Sequence, residues 1–442
     1  MTQTNKLAKQ FHFGSLANFA LPTMVMMVIT ALYSIVDTIF ISRLISTDAL
    51  SSVNIVYPVL NVVMGAGIML ATGGSAIVAR KLGQGKEEEA RRNFSFLVLM
   101  GIALGILFAA VGLPLLEPIV RALGSSEKLF SDGCAYLRAS LWFSPCWILS
   151  MIFSTFFVTA GRPHLGMGLS VAAGIANGVL DYIFIAYVGL GVAGVAVASG
   201  VGQLVIVVAG FALFARKKGT LYFGKPKGSL RFVGGSCFNG SSEMVSNLSM
   251  GITTFLFNIQ MMKLVGEDGV AAITVVMSLQ FILSSLLMGY AMGVSPVISY
   301  NYGKGDSEML RRVVKYSLVF VSCASVLIAF AAPFLSPFII RIFTDNAAVT
   351  ELARQGILPY SFSFLLCGIN IFASALYTAF SNGKISALLS FLRTCVLLSA
   401  GILLLPLAWG VTGVWLAVPA AELVALAISA AFLKHSRKLY RY

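Results

Sequence analysis

The chain has 442 residues, of which 58% are hydrophobic and only 11% are charged. A soluble domain carries about a quarter charged residues, so this composition excludes an ordinary soluble protein. The net charge of +14 would suit a nucleic-acid partner, but no basic stretch is interleaved with aromatic residues, and cytoplasmic loops of membrane proteins collect Lys and Arg. We therefore expect no nucleic-acid partner.

Apolar runs of ~20 or more residues alternate with short polar breaks along the whole chain, which is typical of an all-α polytopic membrane protein. Barrel strands are disfavoured because they alternate in polarity over ~10 residues, whereas these runs are continuous. We predict twelve transmembrane helices, at residues 15–42, 50–79, 93–113, 131–159, 165–187, 191–215, 236–262, 270–299, 313–333, 352–380, 385–406 and 410–433.

The loops between these spans are unequal in charge. If the N-terminus is cytoplasmic, the inside loops hold most of the 31 Lys and Arg residues. The positive-inside rule then places both termini in the cytoplasm of a multi-pass protein of the plasma membrane.

No motif predicts a cofactor, a structural metal or an enzyme. The six cysteines lie in or beside apolar segments and form no CxxC pair, which indicates that they are small core residues. The stretch GLGVAG at 189–194 matches a nucleotide-binding pattern, but it joins two apolar helices and follows no strand.

The chain repeats itself at a shift of about 220 residues. The stretch GGSAIVARKLGQGKEEEARR (73–92) aligns with GVSPVISYNYGKGDSEMLRR (293–312), with identities at glycines and at the arginine pair. Two copies with an even number of spans have the same orientation, so a pseudo-twofold axis along the membrane normal relates them. We predict an N-lobe at 1–215, a basic cytoplasmic linker at 216–231 and a C-lobe at 232–442, around a shared cavity.

Asp37 lies in the C-terminal half of the first span. A charge at membrane depth costs on the order of 3 kcal/mol, so such a residue usually binds something or moves a proton. Asn177 and Asp181 of the fifth span are four residues apart and share a helix face, where they could hold a proton network or Na⁺, or only position the helix. Gly174 and Gly178 form a GxxxG that predicts close packing beside Asn177.

The loop after the second span, its repeat after the eighth, VDTIFISRL (36–44) and GIANGVLDYIFI (174–185) resemble the multidrug and toxic compound extrusion (MATE) family over about the whole chain. The resemblance implies a cation site in the N-lobe formed by Asp37, Asn177, Asp181 and Ser199. It also implies a second-lobe candidate at Glu243, for which the alternative is a carboxylate that only complements a helix dipole.

Two further expectations concern the shape of the transport path. Pro22 predicts a bend in the first helix, unless it lies in the first turn, where a proline costs little. Flexible and polarizable side chains suit a cavity for varied compounds, although methionines more often face lipid or core. The substrate-cavity candidates are Met27, Tyr33, Met64 and Met69.

Glu422 is the repeat counterpart of Gln203, and we expect it to pair with Arg393 or Arg138. If those arginines instead face the cavity, they could bind anions.

The resemblance implies a secondary exporter of drug-like, amphipathic and cationic compounds, monomeric in the lipid bilayer and driven by H⁺ or Na⁺. It has no cofactor, and any metal would be Na⁺ at Asp37, Asn177 and Asp181. The alternative is a flippase of a lipid-linked precursor, which needs a cationic cavity.

Overall fold

The computed structural model describes residues 6–442, so the first five residues of the predicted N-lobe lie outside it. Within this range the chain is helical and has no β-strand, as the composition predicts. A 3₁₀ turn at Lys6–Ala8 is followed by α1 (Phe13–Phe40), α2 (Thr47–Gly83), α3 (Glu87–Gly112), α4 (Leu116–Ala122), α5 (Glu127–Trp142), α6 (Ser144–Thr159), α7 (Pro163–Tyr182), α8 (Gly191–Ala215), α9 (Leu230–Leu264), α10 (Glu267–Lys304), α11 (Ser307–Phe343), α12 (Ala347–Ala379), α13 (Gly383–Phe391) and α14 (Leu398–Tyr440).

Nine of the helical segments in residues 6–442, or ten with a bent pair, are long and apolar enough to cross a membrane. The bent pair is α5 and α6, which meet at 52° and together form the predicted fourth span. Helix α9 is not among them because its sequence SSEMVSNLSMG is polar. This helix instead packs along α2 of the other lobe, where its small and polar residues are partly shielded from lipid.

The last helical segment, Gly383–Tyr440, which consists of α13, a π-helical turn and α14, contains two of the predicted spans. Gly410 has φ 53° and ψ −132°, which is outside the helical region. A Cβ on Gly401 would lie 3.1 Å from the carbonyl oxygen of Ala417, and one on Gly413 would lie 2.4 Å from that of Leu405. Residues 401 and 417 would be ~24 Å apart in a straight helix. The chain therefore folds back at Gly410, which confirms spans 385–406 and 410–433.

The helices form two lobes, each with a buried core of its own, and a further buried cluster joins the first half of α1 to the C-lobe. In the first lobe α1 packs on α7, α7 on α8, and α2 on α5 and α6; in the second, α12 packs on α10, α11 and α14. The lobes meet through α2 with α9, α1 with α10, and α2 with α10. The architecture is thus the predicted two-lobe helical bundle, while the residue limits given above for the lobes stay a prediction.

The contacts between the lobes are made backbone to backbone at glycines. A Cβ on Gly73 would lie 2.0 Å from the carbonyl oxygen of Ser236, and one on Gly240 would lie 2.0 Å from that of Met69. Such a distance is far below van der Waals contact, so only glycine fits there. The ends of α2 and α10 meet in the same way, and we call this part of the bundle, where α1 begins, the closed end.

The linker between α8 and α9 has a packed part and an exposed part. Arg91 donates to the carbonyl of Thr220 at 2.9 Å and lies 4.2 Å from the ring centre of Tyr222. Leu221 is 3% exposed, whereas Lys225 and Lys227 are exposed. The first part of the linker is therefore fixed to the N-lobe.

Candidate cation site

Three helices bring the four predicted N-lobe residues together. Asp37 lies in the last turn of α1, just before a π-helical turn at Ile41–Ile45, and Asp181 precedes a similar turn at Ile183–Tyr187. Such turns are frequent at functional sites. Asn177 and Asp181 lie on one face of α7, and Ser199 lies on the adjacent α8.

A chain of hydrogen bonds connects these side chains. Asn177 donates from Nδ2 to Asp181 Oδ2 at 3.3 Å and to Ser199 Oγ at 3.1 Å. Ser199 in turn donates its hydroxyl to Asp37 Oδ2 at 3.0 Å. The distances show that residues 162 positions apart in the sequence form one polar cluster.

The cluster is buried and holds oxygen atoms without partners. Asp181 is fully buried, and Asn177 and Ser199 are 3% and 5% exposed, while Asp37 is half-buried. Asp37 Oδ1, Asn177 Oδ1 and Asp181 Oδ1 have no hydrogen-bond partner. An unpaired buried oxygen costs about 1–3 kcal/mol, so these atoms suit a bound cation or a proton.

The two carboxyl groups also interact directly with each other. Two neighbouring carboxylates in a buried site repel each other unless one of them is protonated. Two carboxylates, an amide oxygen and a hydroxyl are equally a set of hard oxygen ligands that suits Na⁺. In the described part of the chain, no group of three or more His, Cys, Asp or Glu residues could hold a metal ion.

Of three tyrosines near the cluster, two were not predicted from the sequence and one was predicted only as a cavity residue. Tyr33, Tyr57 and Tyr136 interact electrostatically with Asp37. Gln203 donates to the Tyr33 hydroxyl at 3.4 Å. Tyr57 and Tyr136 lie on other helices than Asp37, so no spacing in the sequence could have associated them with it. Tyr33, predicted only as a cavity residue, lies one helical turn before Asp37 on the same helix.

Glu243, the second-lobe candidate, lies apart from this cluster. It is half-buried on α9, well after the helix start at Leu230, and it lines a small interlobe cavity together with hydroxyl residues. The dipole interpretation therefore does not fit Glu243, since that effect is confined to the first turn. The lining of this cavity does not include Met27, Tyr33, Met64 or Met69.

The C-lobe contains a buried ion pair. Arg393 donates from Nε to Glu422 Oε1 at 2.8 Å, and Asn370 donates to Glu422 Oε2 at 2.7 Å. The side chain of Glu422 is 6% exposed and that of Arg393 is 20% exposed. The expected pairing of Glu422 with Arg393 is confirmed, and Arg138 instead lies exposed on α5.

Two local expectations need correction. The alternative that Pro22 lies in the first turn is wrong, because α1 begins at Phe13 and Pro22 is buried in its interior. The close packing predicted at Gly174 and Gly178 is also wrong: a Cβ on Gly178 would meet nothing within 4 Å, and one on Gly174 would make only ordinary contacts at 3.6 Å. The close approach is made by Gly202 of α8, where a Cβ would lie 3.0 Å from the carbonyl oxygen of Ala173.

Comparison with known proteins assigns the architecture to a family. The MatE family model matches residues 22–183 and 244–402, which is most of both lobes. The chain belongs to the MATE family. The MATE match begins at Pro22 and contains Asp37, Asn177 and Asp181 in its first part.

Relatives of this MATE protein include multidrug exporters. The chain is 26% identical to the multidrug export protein MepA of Staphylococcus aureus (strain MRSA252), over 94% of this chain and 92% of the relative. It is 25% identical to MepA of Staphylococcus saprophyticus, with the same shares covered.

Solved structures share the fold. A MATE protein in complex with MaL6 superposes with a TM-score of 0.94 at 20% identity, over 100% of both chains. An outward-facing multidrug resistance MATE transporter superposes with a TM-score of 0.93 at 21% identity, over 100% of this chain and 99% of the other. The chain is therefore a multi-span membrane protein of a multidrug efflux family.

Proposed function

We propose that the protein is a secondary antiporter of the plasma membrane that exports amphipathic, cationic organic compounds in exchange for H⁺ or Na⁺. Both termini face the cytoplasm, and one chain suffices for transport. The observation that carries the proposal is the buried cluster of Asp37, Asn177, Asp181 and Ser199 with its unpartnered oxygens.

The cluster can couple ion binding to a change of shape because it joins three helices. A cation or proton entering from outside would bind the oxygens and remove the repulsion between Asp37 and Asp181. Helices α1, α7 and α8 would then pack more closely. An ion drives transport only if the outward- and inward-facing states differ in their affinity for it.

The cavity between the lobes supports a cationic substrate. Its lining combines the Glu243 carboxylate with hydroxyl groups and with apolar residues such as Met292. The cationic candidate in the C-lobe, Arg393, is neutralised by Glu422. A flippase of an anionic precursor needs a cationic cavity, so this alternative lacks support.

The test is transport in proteoliposomes with the H⁺ and Na⁺ gradients imposed separately. We expect an outward gradient of one of the two ions, which is then more concentrated inside the vesicles, to drive uptake of a cationic dye against its concentration, and an imposed gradient of the other to have no effect. Equal transport with no gradient at all would contradict antiport. Transport of an anionic lipid-linked analogue in place of the dye would favour the flippase.

A further inference from the structure

The segment before α1 is buried although it lies near the N-terminus. Leu7 is 0% exposed and Phe11 is 3% exposed. Both belong to a buried cluster that is otherwise formed by α1 and the C-lobe, with Tyr290, Val294 and Ile298 of α10 among its members. The segment at 6–11 therefore precedes the first helix of the N-lobe but packs into the C-lobe.

Adjacent residues of this segment contact opposite lobes. The Lys6 stem packs on Gly161, in the N-lobe loop between α6 and α7, where an added Cβ would lie 2.7 Å from Lys6 Cβ. The 3₁₀ turn that contains Leu7 contacts α10. The segment thus spans the boundary between the lobes at the closed end.

The beginning of α1 continues this contact with the C-lobe. The Phe13 ring lies 5.9 Å from that of Tyr316 on α11. Added Cβ atoms on Gly293 and Gly289 would lie 3.1 Å from Ala20 Cα and 2.5 Å from Met24 Cα. The first half of α1 therefore lies on the C-lobe, whereas its last turn bonds to the N-lobe through Asp37.

The second repeat has no equivalent segment. The repeat counterparts of Leu7 and Phe11 are Lys227 of the linker and Arg231 at the start of α9, and both are exposed. The burial of Leu7 and Phe11 is therefore not a general consequence of the lobe fold, and it requires its own explanation.

We propose that residues 6–11 are a latch that holds the two lobes together at the closed end and must leave its place when the lobes separate there. The inference rests on the proposed alternation between two states. Opening the closed end would expose the side chains of Leu7 and Phe11 to water. Burial of one such side chain shifts a two-state equilibrium by about tenfold or more.

The test measures the distance between the lobes at the closed end. Spin labels are placed at Glu88 and Glu308, repeat counterparts with exposed side chains, in a background without the six native cysteines, and distance distributions are recorded in lipid nanodiscs. We expect Leu7→Ala and Phe11→Ala each to raise the ratio of open to closed molecules by about tenfold. Leu7→Met, which keeps the volume, should leave the ratio unchanged.

The matched control is Leu221→Ala. Leu221 is 3% exposed, as Phe11 is, but the buried members of its cluster lie in the N-lobe and the linker. The latch proposal would be overturned if both latch variants had the wild-type melting temperature and an unchanged distribution of label-to-label distances. It would also be overturned if Leu221→Ala shifted that distribution as much as the latch variants do. Failure of the antiport proposal is seen separately, as absence of gradient-driven dye transport by the wild type in proteoliposomes.

Discussion

Gly83 and Gly303 occupy corresponding positions in the two repeats and contact each other's helix in the same way. A Cβ on Gly83 would lie 2.0 Å from the carbonyl oxygen of Tyr300, and one on Gly303 would lie 2.1 Å from that of Arg80. Arg80 and Tyr300 are themselves repeat counterparts. The pseudo-twofold axis of the molecule therefore passes between these two glycines.

Gly83→Ala should hold the closed end apart. The added methyl group has no space against backbone, and overpacking of this kind costs about 1–3 kcal/mol. We expect lower drug resistance in exporter-deficient cells and a larger open fraction in the spin-label experiment. The control is Gly178→Ala, where the new methyl group meets nothing within 4 Å. Equal resistance in the two variants would contradict the closed contact.

Asp37→Asn should abolish coupling while preserving the fold. The amide has the shape of the carboxyl group but has neither a charge nor a titratable proton. Cells expressing the variant should return to the drug sensitivity of cells with an empty vector. Asp48→Asn is the control, because Asp48 is exposed and pairs with Lys128 at the start of α2. Full resistance with Asp37→Asn would exclude a central role for Asp37.

Ser199→Ala should weaken ion binding, and Ser199→Thr should not. Alanine removes the hydroxyl that joins Asn177 to Asp37, and each lost buried hydrogen bond costs about 1 kcal/mol or more. We expect the ion concentration for half-maximal transport to rise about tenfold in the alanine variant. The threonine variant keeps the hydroxyl, so a similar rise there would point to packing instead.

Glu422→Gln should destabilise the C-lobe. The change removes the carboxylate that pairs with Arg393, and breaking a buried pair in this way costs at most about 3–5 kcal/mol, less where one partner is 20% exposed, as Arg393 is. Thermal unfolding should show a clearly lower melting temperature. The control is Glu308→Gln, which breaks an exposed pair with Arg312 worth at most about 1 kcal/mol. Restored stability in Glu422→Leu combined with Arg393→Met would identify the lone charge as the cause.

Asp306 should make a pH-dependent contribution to stability. Its carboxylate accepts from the Met309 amide at the start of α11, and this bond, with the Lys304 ammonium, holds the pKa of Asp306 below its usual range. The stabilisation is therefore full above the usual value of about 4 and is lost as the pH falls through the folded-state pKa. Asp306→Ala should lower the free energy of unfolding by about 1 kcal/mol at pH 7, with a smaller effect at pH 3.

In the same measurements Lys304→Gln removes the ammonium but keeps the helix cap. This variant should lose much less of the free energy of unfolding than Asp306→Ala does. An Asp306→Ala effect that does not depend on pH would contradict the role of the charged form.

The sequence predicted the helical architecture well, because each span in lipid must satisfy its backbone hydrogen bonds within its own helix and must be a long apolar run. The repeat was also visible, since glycines such as Gly83 and Gly303 are needed wherever backbones touch. Asp37 and Asp181 indicated the polar cluster in the sequence, because charged residues are rare within apolar runs.

Other features depended on the packing of distant helices. Tyr57 and Tyr136 look like ordinary aromatic residues until α2 and α5 are placed beside α1. The GxxxG at Gly174 and Gly178 led to a wrong prediction of close packing, because small residues do not reveal which helix approaches them. The close approach between α7 and α8 is made at Gly202 instead. The burial of Leu7 could not be predicted, because it depends on a lobe encoded almost 300 residues later.

The division of the linker into a packed and an exposed part has a consequence for producing the protein as two polypeptides. A break at Pro226 would fall between exposed lysines, two residues before Gly228, which packs on Phe96 of α3. Each fragment would keep its own cluster of buried side chains, so co-expressed halves should assemble without refolding of the linker. The lobes could then be labelled with isotopes one at a time.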